Sequence, residues 1–313
     1  MAKIAAGMAS SHAYTFIDPH RWEERREVTR ERYRKRYGEY PPVQPQIEGE
    51  TLAGNLARYE DIRGGLERLK RSFDALRPDT LVLIADDQDE NYRDDNLPQI
   101  AIYTGERAVA VDSETARTIE IQSDAALATH ILNEAVEAGF DLASSKSFPE
   151  DRVRSHAHAQ IINFLEPQVP VVLIFLNAIH VPAPSPSRCY QFGRCLRGIL
   201  DALPDDRRVV LYASGGMSHF TAGYPWAHYQ GPFSLGSISE EFDRQAVAAM
   251  REGRAAELVA SLSSRDLLAN GAIEFRQWIT LLGALDGAAP EWVAYQPFYR
   301  AVMAMGVAYW PQN

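Results

Sequence analysis

Several polar and ionisable residues follow directly after short apolar runs that are typical of buried β-strands. Four such runs are followed by polar segments at residues 10–12, 86–91, 177–180 and 214–219. The first, third and fourth segments each contain a histidine, the second contains a cluster of carboxylates, and the fourth also contains a Gly-Gly turn. In open α/β sheets, ligands bind beyond the carboxyl ends of the strands. One polar strand end would mean little, because strands must end in polar loops, but four such ends predict a shared site.

The carboxylates Asp86, Asp87 and Asp89 lie within four consecutive positions after the second run. Carboxylates held this close repel one another, and a bound cation relieves the repulsion. Aspartate is also common in turns and at caps, where it accepts hydrogen bonds from backbone N–H groups. The cluster therefore predicts either a metal site or a tightly hydrogen-bonded loop.

Histidines are the next candidates for chemistry. His12 follows the first run, and it is either a metal ligand or a structural histidine of the loop. His219 follows a Gly-Gly turn, which lets the backbone approach a ligand closely. The ordinary pKa of histidine suits a residue that takes and returns one proton. His156 and His158 are two positions apart. That spacing suits two ligands on an extended segment, or a helix start with one exposed histidine.

Glu274 lies in the apolar segment 272–285, which predicts a helix. A carboxylate on the inner face of such a helix needs a metal ion or an ion-pair partner, whereas one on the outer face is solvated. Ser218 lies between Met217 and His219 and not in a G-x-S-x-G motif, which argues against a serine hydrolase. No G-x-G-x-x-G or P-loop pattern is present, which argues against nucleotide binding.

The elements that must position these residues alternate between strands and helices along the chain. The patterns predict strands at 3–8, 80–85, 169–176 and 209–212, and helices at 56–76, 124–138 and 186–203. Asp124 and Ser185 are suitable N-caps, and the chain from about residue 237 onward is predicted to be mostly helical. We therefore expect one α/β domain over residues 1–313, with a central parallel or mixed sheet flanked by helices.

The segment 18–45 differs from the rest because it is dense in Arg, Glu and Tyr and ends near Pro41 and Pro42. We interpret it as a charged helical insertion. Charges of both signs at helical spacing are typical of a solvated helix. The alternatives are a cover over the mouth of the active site or a subunit contact, since Arg and Tyr are enriched at interfaces.

Composition limits the classes of function. The chain of 313 residues has a formal net charge of −10, which argues against a nucleic-acid partner. No apolar run reaches the ~20 residues that span a bilayer, and the start does not resemble a signal peptide. Cys189 and Cys195 lie six residues apart on a predicted helix, so we expect them to be free thiols. These features predict a cytoplasmic protein without a membrane partner.

Three motifs together resemble those of the class III extradiol ring-cleavage dioxygenases, of the type of the catalytic β subunit of protocatechuate 4,5-dioxygenase. They are the Ser-Ser-His string that ends at His12, the Gly-Gly-Met-Ser-His string that ends at His219, and Glu274 with Trp278 after it. The similarity runs over most of the chain in the same order.

The resemblance implies a set of roles. In that family two histidines and one glutamate hold Fe(II), and another histidine is the acid-base catalyst. By position, His12 and Glu274 would be metal ligands and His219 the acid-base residue. His156, or less closely His158, matches a further active-site histidine.

One position departs from the family pattern. The second histidine ligand belongs to an Asn-Asp-His string after the second strand, where this chain has Asp86-Asp87-Gln88. Three outcomes are open. Gln88 coordinates the metal through its amide oxygen, or Asp86, Asp87 or Asp89 replaces it in an oxygen-rich site that also suits Mn(II) or Mg(II), or the metal is absent.

We therefore expect an extradiol dioxygenase that opens a catechol-type aromatic ring with non-haem Fe(II), or another divalent metal, and O2. Ser218 and His180 are expected to bind the substrate. The alternatives are a hydrolase or lyase on the same scaffold and a metal-free binding protein. We also expect a homo-oligomer or pairing with a small helical subunit, because relatives in the resembled family pair.

Overall fold

The computed structural model describes residues 3–93, 95–112, 115–152, 155–219 and 238–312. Its strands are β1 (Lys3–Ser10), β2 (Thr80–Asp86), β3 (Ile100–Tyr103), β4 (Arg107–Val111), β5 (Thr118–Gln122), β6 (Ala143–Ser145), β7 (Val171–Leu176), β8 (Arg208–Ser214), β9 (Trp292–Phe298) and β10 (Met303–Pro311). Its helices are α1 (Trp22–Tyr37), α2 (Leu52–Leu76), α3 (Ala125–Glu137), α4 (His156–Leu165), α5 (Pro186–Asp201), α6 (Glu240–Arg251), α7 (Ala255–Ser261), α8 (Ser264–Ala269) and α9 (Phe275–Ala284).

Eight of these strands form one mixed sheet in the order β6-β3-β7-β2-β8-β1-β10-β9. The four central strands β7, β2, β8 and β1 are parallel to one another. Strand β3 is antiparallel to β7, and β10 is antiparallel to both β1 and β9. Ser10 pairs with Ser214, and Asp86 with Leu176, at the carboxyl ends of the central strands. The four predicted strands are thus the parallel centre, and their ends meet at one edge.

The central strands are buried on both faces because their sequences are continuous apolar runs. All seven residues of β2 are buried, and alternate side chains enter opposite layers of the core. Val82 and Ile84 pack with α3, α5, α6 and α9, whereas Leu81 and Leu83 pack with α2 and α4. The predicted α/β architecture is therefore confirmed.

The predicted helix starts are also observed. The side chains of Asp124 and Ser185 accept hydrogen bonds from the backbone N–H groups of Leu127 and Arg188, as N-caps do. Residues 238–312 contain four helices but also β9 and β10, which the sequence did not predict. No helix within the described ranges is long and apolar enough to cross a membrane.

The charged segment 18–45 contains α1, and much of α1 is solvated, with Arg–Glu pairs three positions apart such as Arg34 with Glu31. Two of its aromatic residues, Trp22 and Tyr33, are nevertheless buried. The Trp22 ring packs against Phe298 at a centroid distance of 4.8 Å. The segment is therefore anchored to the body of the chain and not merely a solvated helix.

Helices α5 and α9 cross at a contact between two glycines, and this contact sets the position of the start of α9. A Cβ atom on Gly193 would lie 1.9 Å from the Thr280 carbonyl oxygen, and one on Gly283 would lie 2.1 Å from the Tyr190 carbonyl oxygen. Both distances are far shorter than a van der Waals contact. The two helices can approach this closely only because both positions lack a side chain.

We predict that Gly193→Ala destabilises the protein by about 1–3 kcal/mol, because the added methyl group forces α5 and α9 apart. Gly198→Ala on the same helix is the matched control, since nothing lies within 4 Å of a Cβ at that position. That change is expected to stabilise the helix by about 0.5–1 kcal/mol. Urea unfolding measures both values, and equal effects would contradict the close helix contact.

Candidate active site

Three side chains from distant parts of the sequence converge at the carboxyl edge of the sheet. His12 follows β1, Asp86 ends β2, and Glu274 immediately precedes α9. One ligand atom from each residue can be chosen so that all three lie within 4.8 Å of one another, and each side chain is buried. The sequence placed Glu274 inside a helix, but it occupies the N-cap position, since α9 starts only at Phe275.

Two carboxylate oxygens in this cluster lack hydrogen-bond partners among the described residues: Oδ1 of Asp86 and Oε2 of Glu274. Oε2 of Glu274 lies 3.6 Å from Nε2 of His12. A buried acceptor without a partner is costly, by about 1–3 kcal/mol or more for a charged group. A cation among these atoms would remove that cost, so the side chains present fit a metal ion.

The other ring nitrogen of His12 fixes its tautomer. The Ser214 hydroxyl donates to the Ala157 carbonyl oxygen at 2.8 Å, so at 3.2 Å it can accept from Nδ1–H of His12. Nε2 then carries the lone pair that a metal needs. Burial lowers the pKa of His12 to about 4, which keeps the ring neutral.

Gln88 faces both carboxylates with its amide nitrogen. Nε2 donates to Oδ2 of Asp86 at 3.1 Å and to Oε1 of Glu274 at 2.8 Å. An amide nitrogen is a donor and not a metal ligand. Ligation by Gln88 through its amide oxygen was one of three outcomes left open; in this structure its amide nitrogen bridges the two carboxylates.

The remaining aspartates of the acidic run have other partners. Both oxygens of Asp87 accept hydrogen bonds from the backbone N–H groups of Glu90, Asn91 and Tyr92 at 2.9–3.1 Å. Oδ1 of Asp89 lies 2.5 Å from Nε2 of His180. Asp87 therefore organises the loop, as the capping interpretation proposed, and neither residue belongs to the three-residue cluster. His180, expected to bind substrate, is paired with Asp89 beside it.

The two carboxyl groups of the cluster differ in their tendency to ionise. Burial, and then the charge of Glu274, raises the pKa of Asp86 well above its usual value. Burial also opposes ionisation of Glu274, but the nearby His219 and His12 outweigh it and lower its pKa to about 2. Two carboxylates of which only one ionises readily are the expected state of a close pair without a cation.

His219 borders the cluster on the Glu274 side. Its Nδ1 lies 2.8 Å from the Met217 carbonyl oxygen and its Nε2 lies 3.1 Å from Oε1 of Glu274. Burial opposes protonation, but the Glu274 carboxylate dominates and raises the pKa of His219 to about 9. The glycine before this loop is required, because a Cβ on Gly215 would lie 2.6 Å from the Glu274 carbonyl oxygen.

His156 borders the cluster on the His12 side, with the two rings edge to face at a centroid distance of 5.1 Å. Its Nδ1 and its backbone N–H contact the two carboxylate oxygens of Glu90 at 2.9 and 2.8 Å. Burial lowers the pKa of His156, but Glu90 more than offsets this and raises it to about 10. The sequence analysis did not identify Glu90 as a site residue. The signal that could have done so is His156 itself, because a buried protonated histidine needs an acidic partner nearby.

His158 points away from the cluster, although it is only two residues from His156. Its Nδ1 lies 2.6 Å from the Ser155 hydroxyl, and its Nε2 lies 3.1 Å from the Ile174 carbonyl oxygen. Burial lowers the pKa of His158 to about 3. The segment is a helix start, and both histidines are largely buried, so the expected exposed histidine is not observed.

Comparison with known proteins shows the family of this chain. The family described as "Catalytic LigB subunit of aromatic ring-opening dioxygenase" matches residues 44–309. The chain belongs to the LigB family. The family predicted from the sequence motifs is therefore confirmed, and the reaction in the family's description is the predicted one.

Relatives of this LigB-family chain include two named 2,3-dihydroxyphenylpropionate/2,3-dihydroxicinnamic acid 1,2-dioxygenase. The protein from Burkholderia vietnamiensis is 25% identical, over 76% of this chain and 86% of its own length. The protein from Klebsiella pneumoniae is 27% identical over 51% of this chain, so the match spans only about half (49%) of that relative. The uncharacterized protein JW3007 from Escherichia coli K12 superposes over 97% of this chain and 99% of its own, with a TM-score of 0.49 and 13% identity.

Within this LigB-family site, the loop that carries His219 is held by Asp243 of α6. The carboxylate accepts the Ser218 backbone N–H at 2.9 Å, the Ser218 hydroxyl at 2.6 Å and the Tyr295 hydroxyl at 2.9 Å. The Ser218 hydroxyl also accepts from the Ser239 backbone N–H at 2.7 Å. Ser218 was expected to bind substrate, but its hydroxyl is engaged with these partners.

We predict that Asp243→Ala destabilises the protein by about 2–4 kcal/mol, because it leaves the buried Ser218 N–H and hydroxyl without their acceptor. Tyr295→Phe is the control, since it removes one of the three hydrogen bonds to Asp243 and is expected to cost about 0.5–1.5 kcal/mol. Unfolding by urea at pH 7 compares the two variants. Equal losses would mean that Asp243 does not anchor the loop.

Proposed function

We propose that this chain is an extradiol dioxygenase that opens the ring of a catechol-type aromatic compound with O2. The observation that carries the proposal is the buried cluster of His12, Asp86 and Glu274, in which two carboxylate oxygens lack hydrogen-bond partners among described residues. Two further histidines, His156 and His219, border that cluster. The family description and the names of the relatives support the same reaction.

The proposed cofactor is Fe(II), with Mn(II) or another divalent metal as the alternative. His12 and Glu274 would hold it, together with an oxygen ligand from the loop at the end of β2. A bound redox-active metal would supply the one-electron chemistry through which O2 reacts with a catechol. The three side chains come from three different elements, so the site depends on the whole fold.

His219 is the proposed acid-base residue. Its Nδ1 lies 2.8 Å from the Met217 carbonyl oxygen, so Nδ1 keeps its proton and Nε2 is the atom that exchanges one. Nε2 faces Glu274 at the edge of the cluster, where a substrate hydroxyl bound beside the metal ligands would come within reach. A cation held by Glu274 would offset the carboxylate charge that raises the pKa of His219, so that the neutral ring would take that proton from the catechol and return it during ring opening.

His156 has a different proposed role. Its pairing with Glu90 favours the protonated ring, with the charge held against the His12 face of the cluster. A fixed positive charge there stabilises the anion that a catechol becomes when it loses a proton. Glu90 would act through His156 as a positioning residue.

The substrate is proposed to be an ortho-dihydroxylated aromatic compound. The named relatives carry 2,3-dihydroxyphenylpropionate and 2,3-dihydroxicinnamic acid in their names, so these two compounds and catechol itself are the first to assay.

We also propose a cytoplasmic location, consistent with the two free thiols Cys189 and Cys195.

We predict that His219→Ala retains bound metal but loses about 10²–10⁴-fold in the rate of ring cleavage, because only proton transfer is removed. His12→Ala is expected to lose both metal and activity. His130→Ala, on α3, serves as the control and should keep both. Metal content after equilibration with Fe(II), together with O2 uptake in the presence of the catechols, measures the difference.

Reversed behaviour, with metal lost in His219→Ala and kept in His12→Ala, would exchange the roles assigned to these residues. A wild-type protein that holds metal but takes up no O2 with any of the catechols would contradict the dioxygenase proposal.

We further propose that the protein self-associates or pairs with a small helical subunit through the segment 18–45. Three of the large apolar residues that remain exposed, Val28, Tyr40 and Val43, lie on this segment. We predict a mass above that of one 35.0 kDa chain in light scattering at micromolar concentration. Replacing all three residues by Ser should reduce that mass, whereas a monomeric wild-type chain with no co-purifying subunit would contradict the prediction.

A further inference from the structure

The loop after β2 presents a carboxylate and an amide to Glu274, at the place where the resembled family supplies a histidine. Oδ2 of Asp86 and Oε1 of Glu274 both accept from the amide nitrogen of Gln88. The second oxygen of each carboxylate, Oδ1 of Asp86 and Oε2 of Glu274, is buried and has no partner in the described part of the chain. In each carboxylate, one oxygen thus accepts a hydrogen bond from Gln88, and the other has no partner among the described residues.

We propose that Asp86 is the third protein ligand of the divalent cation, with His12 and Glu274, and that Gln88 positions the two carboxylates without binding the metal. This inference deepens the proposed function, since it identifies the ligands of the metal on which ring cleavage would depend. It replaces a site of two imidazoles and one carboxylate by a site of one imidazole and two carboxylates.

The chemistry of Gln88 matches this role. Two carboxylate oxygens need two N–H donors, and a side-chain amide nitrogen carries two hydrogens. A neutral imidazole carries only one N–H, so a histidine at this position could donate to only one of the two carboxylates and could not bridge them.

The proposed ligand set also changes which cations suit the site. Two carboxylates and one neutral imidazole balance the charge of a divalent cation. Carboxylate oxygen favours Mn(II) and Mg(II), whereas imidazole favours Fe(II), Zn(II) and Cu(II). Relative to a two-histidine site, we expect Mn(II) to compete better with the softer metals.

Asp86→Asn beside Asp89→Asn tests the ligand. Both changes replace a carboxyl group of the same loop by an amide, but Asp89 pairs with His180 outside the cluster. With Mn(II) added to the metal-free full chain in calorimetric titrations, Asp86→Asn should weaken binding by more than about 100-fold, beyond the range of a residue outside the coordination shell. Asp89→Asn should change it by less than about 3-fold. Equal losses, or Mn(II) binding by Asp86→Asn as tight as wild type, would overturn the proposal.

Gln88→Met tests the positioning role, because methionine has a similar length but no N–H to donate. Loss of a residue that orients ligands typically weakens metal binding by about 10–100-fold, which is the result we expect for Mn(II). Wild-type affinity in this variant, or a loss as large as that of Asp86→Asn, would overturn the assignment.

Melting temperatures of the metal-free variants give a second readout. Asp86→Asn removes one of two adjacent carboxylates and should not lower the melting temperature, whereas Gln88→Met removes both bridging donors and should lower it. Added Mn(II) should raise the melting temperature of wild type and of Asp89→Asn but not of Asp86→Asn. A metal-free Asp86→Asn protein that melts well below wild type and is still stabilised by Mn(II) would contradict the inference.

These measurements use no aromatic substrate. If Mn(II) binds through Asp86 and no catechol is cleaved, the proposed function fails and the ligand assignment holds. If catechols are cleaved while Asp86→Asn binds metal normally, the ligand assignment fails and the function holds.

Discussion

The rest of this site depends on the close approach of two buried carboxyl groups. Asp86 and Glu274 lie at the end of a parallel strand and at the start of a helix, where no water-filled surface solvates them. Gln88 satisfies one oxygen of each, and the other two have no partner among the described residues. Such a pair persists in a fold only if one carboxyl group stays protonated or a positive charge compensates both.

Neighbouring residues supply part of that compensation from opposite sides. The pKa of His219 is raised by its contact with Glu274, and that of His156 is raised by its pairing with Glu90. His12 differs, because burial dominates and lowers its pKa, which leaves a neutral nitrogen facing the carboxylates. His12 is therefore neutral, as a ligand must be, whereas the neighbouring carboxylates favour the protonated rings of His156 and His219.

The sequence predicted the parts of this arrangement that depend on local pattern. Continuous apolar runs identified the four central strands, and the polar residues at their ends had to meet at one edge because the strands are parallel. Strands β9 and β10 were missed because their patterns are irregular: β9 alternates poorly and contains Pro297, and β10 contains Gly306. Pairings between elements, such as Glu90 with His156 or Asp243 with Ser218, depend on loop geometry that no local pattern encodes. The direction of the Gln88 amide could not be predicted for the same reason, since it is set by Asp86 and Glu274 together.

The central claim is that the buried cluster holds a metal ion between His12, Asp86 and Glu274. Anomalous diffraction at the manganese absorption edge, from crystals of the full chain grown with Mn(II), tests it most directly. The account predicts one strong peak within bonding distance, about 2.0–2.6 Å, of Nε2 of His12, Oδ1 of Asp86 and Oε2 of Glu274, with the Gln88 amide nitrogen still bridging the outer oxygens. Absence of a peak there, or a peak bound by the Gln88 amide oxygen and not by Asp86, would contradict it.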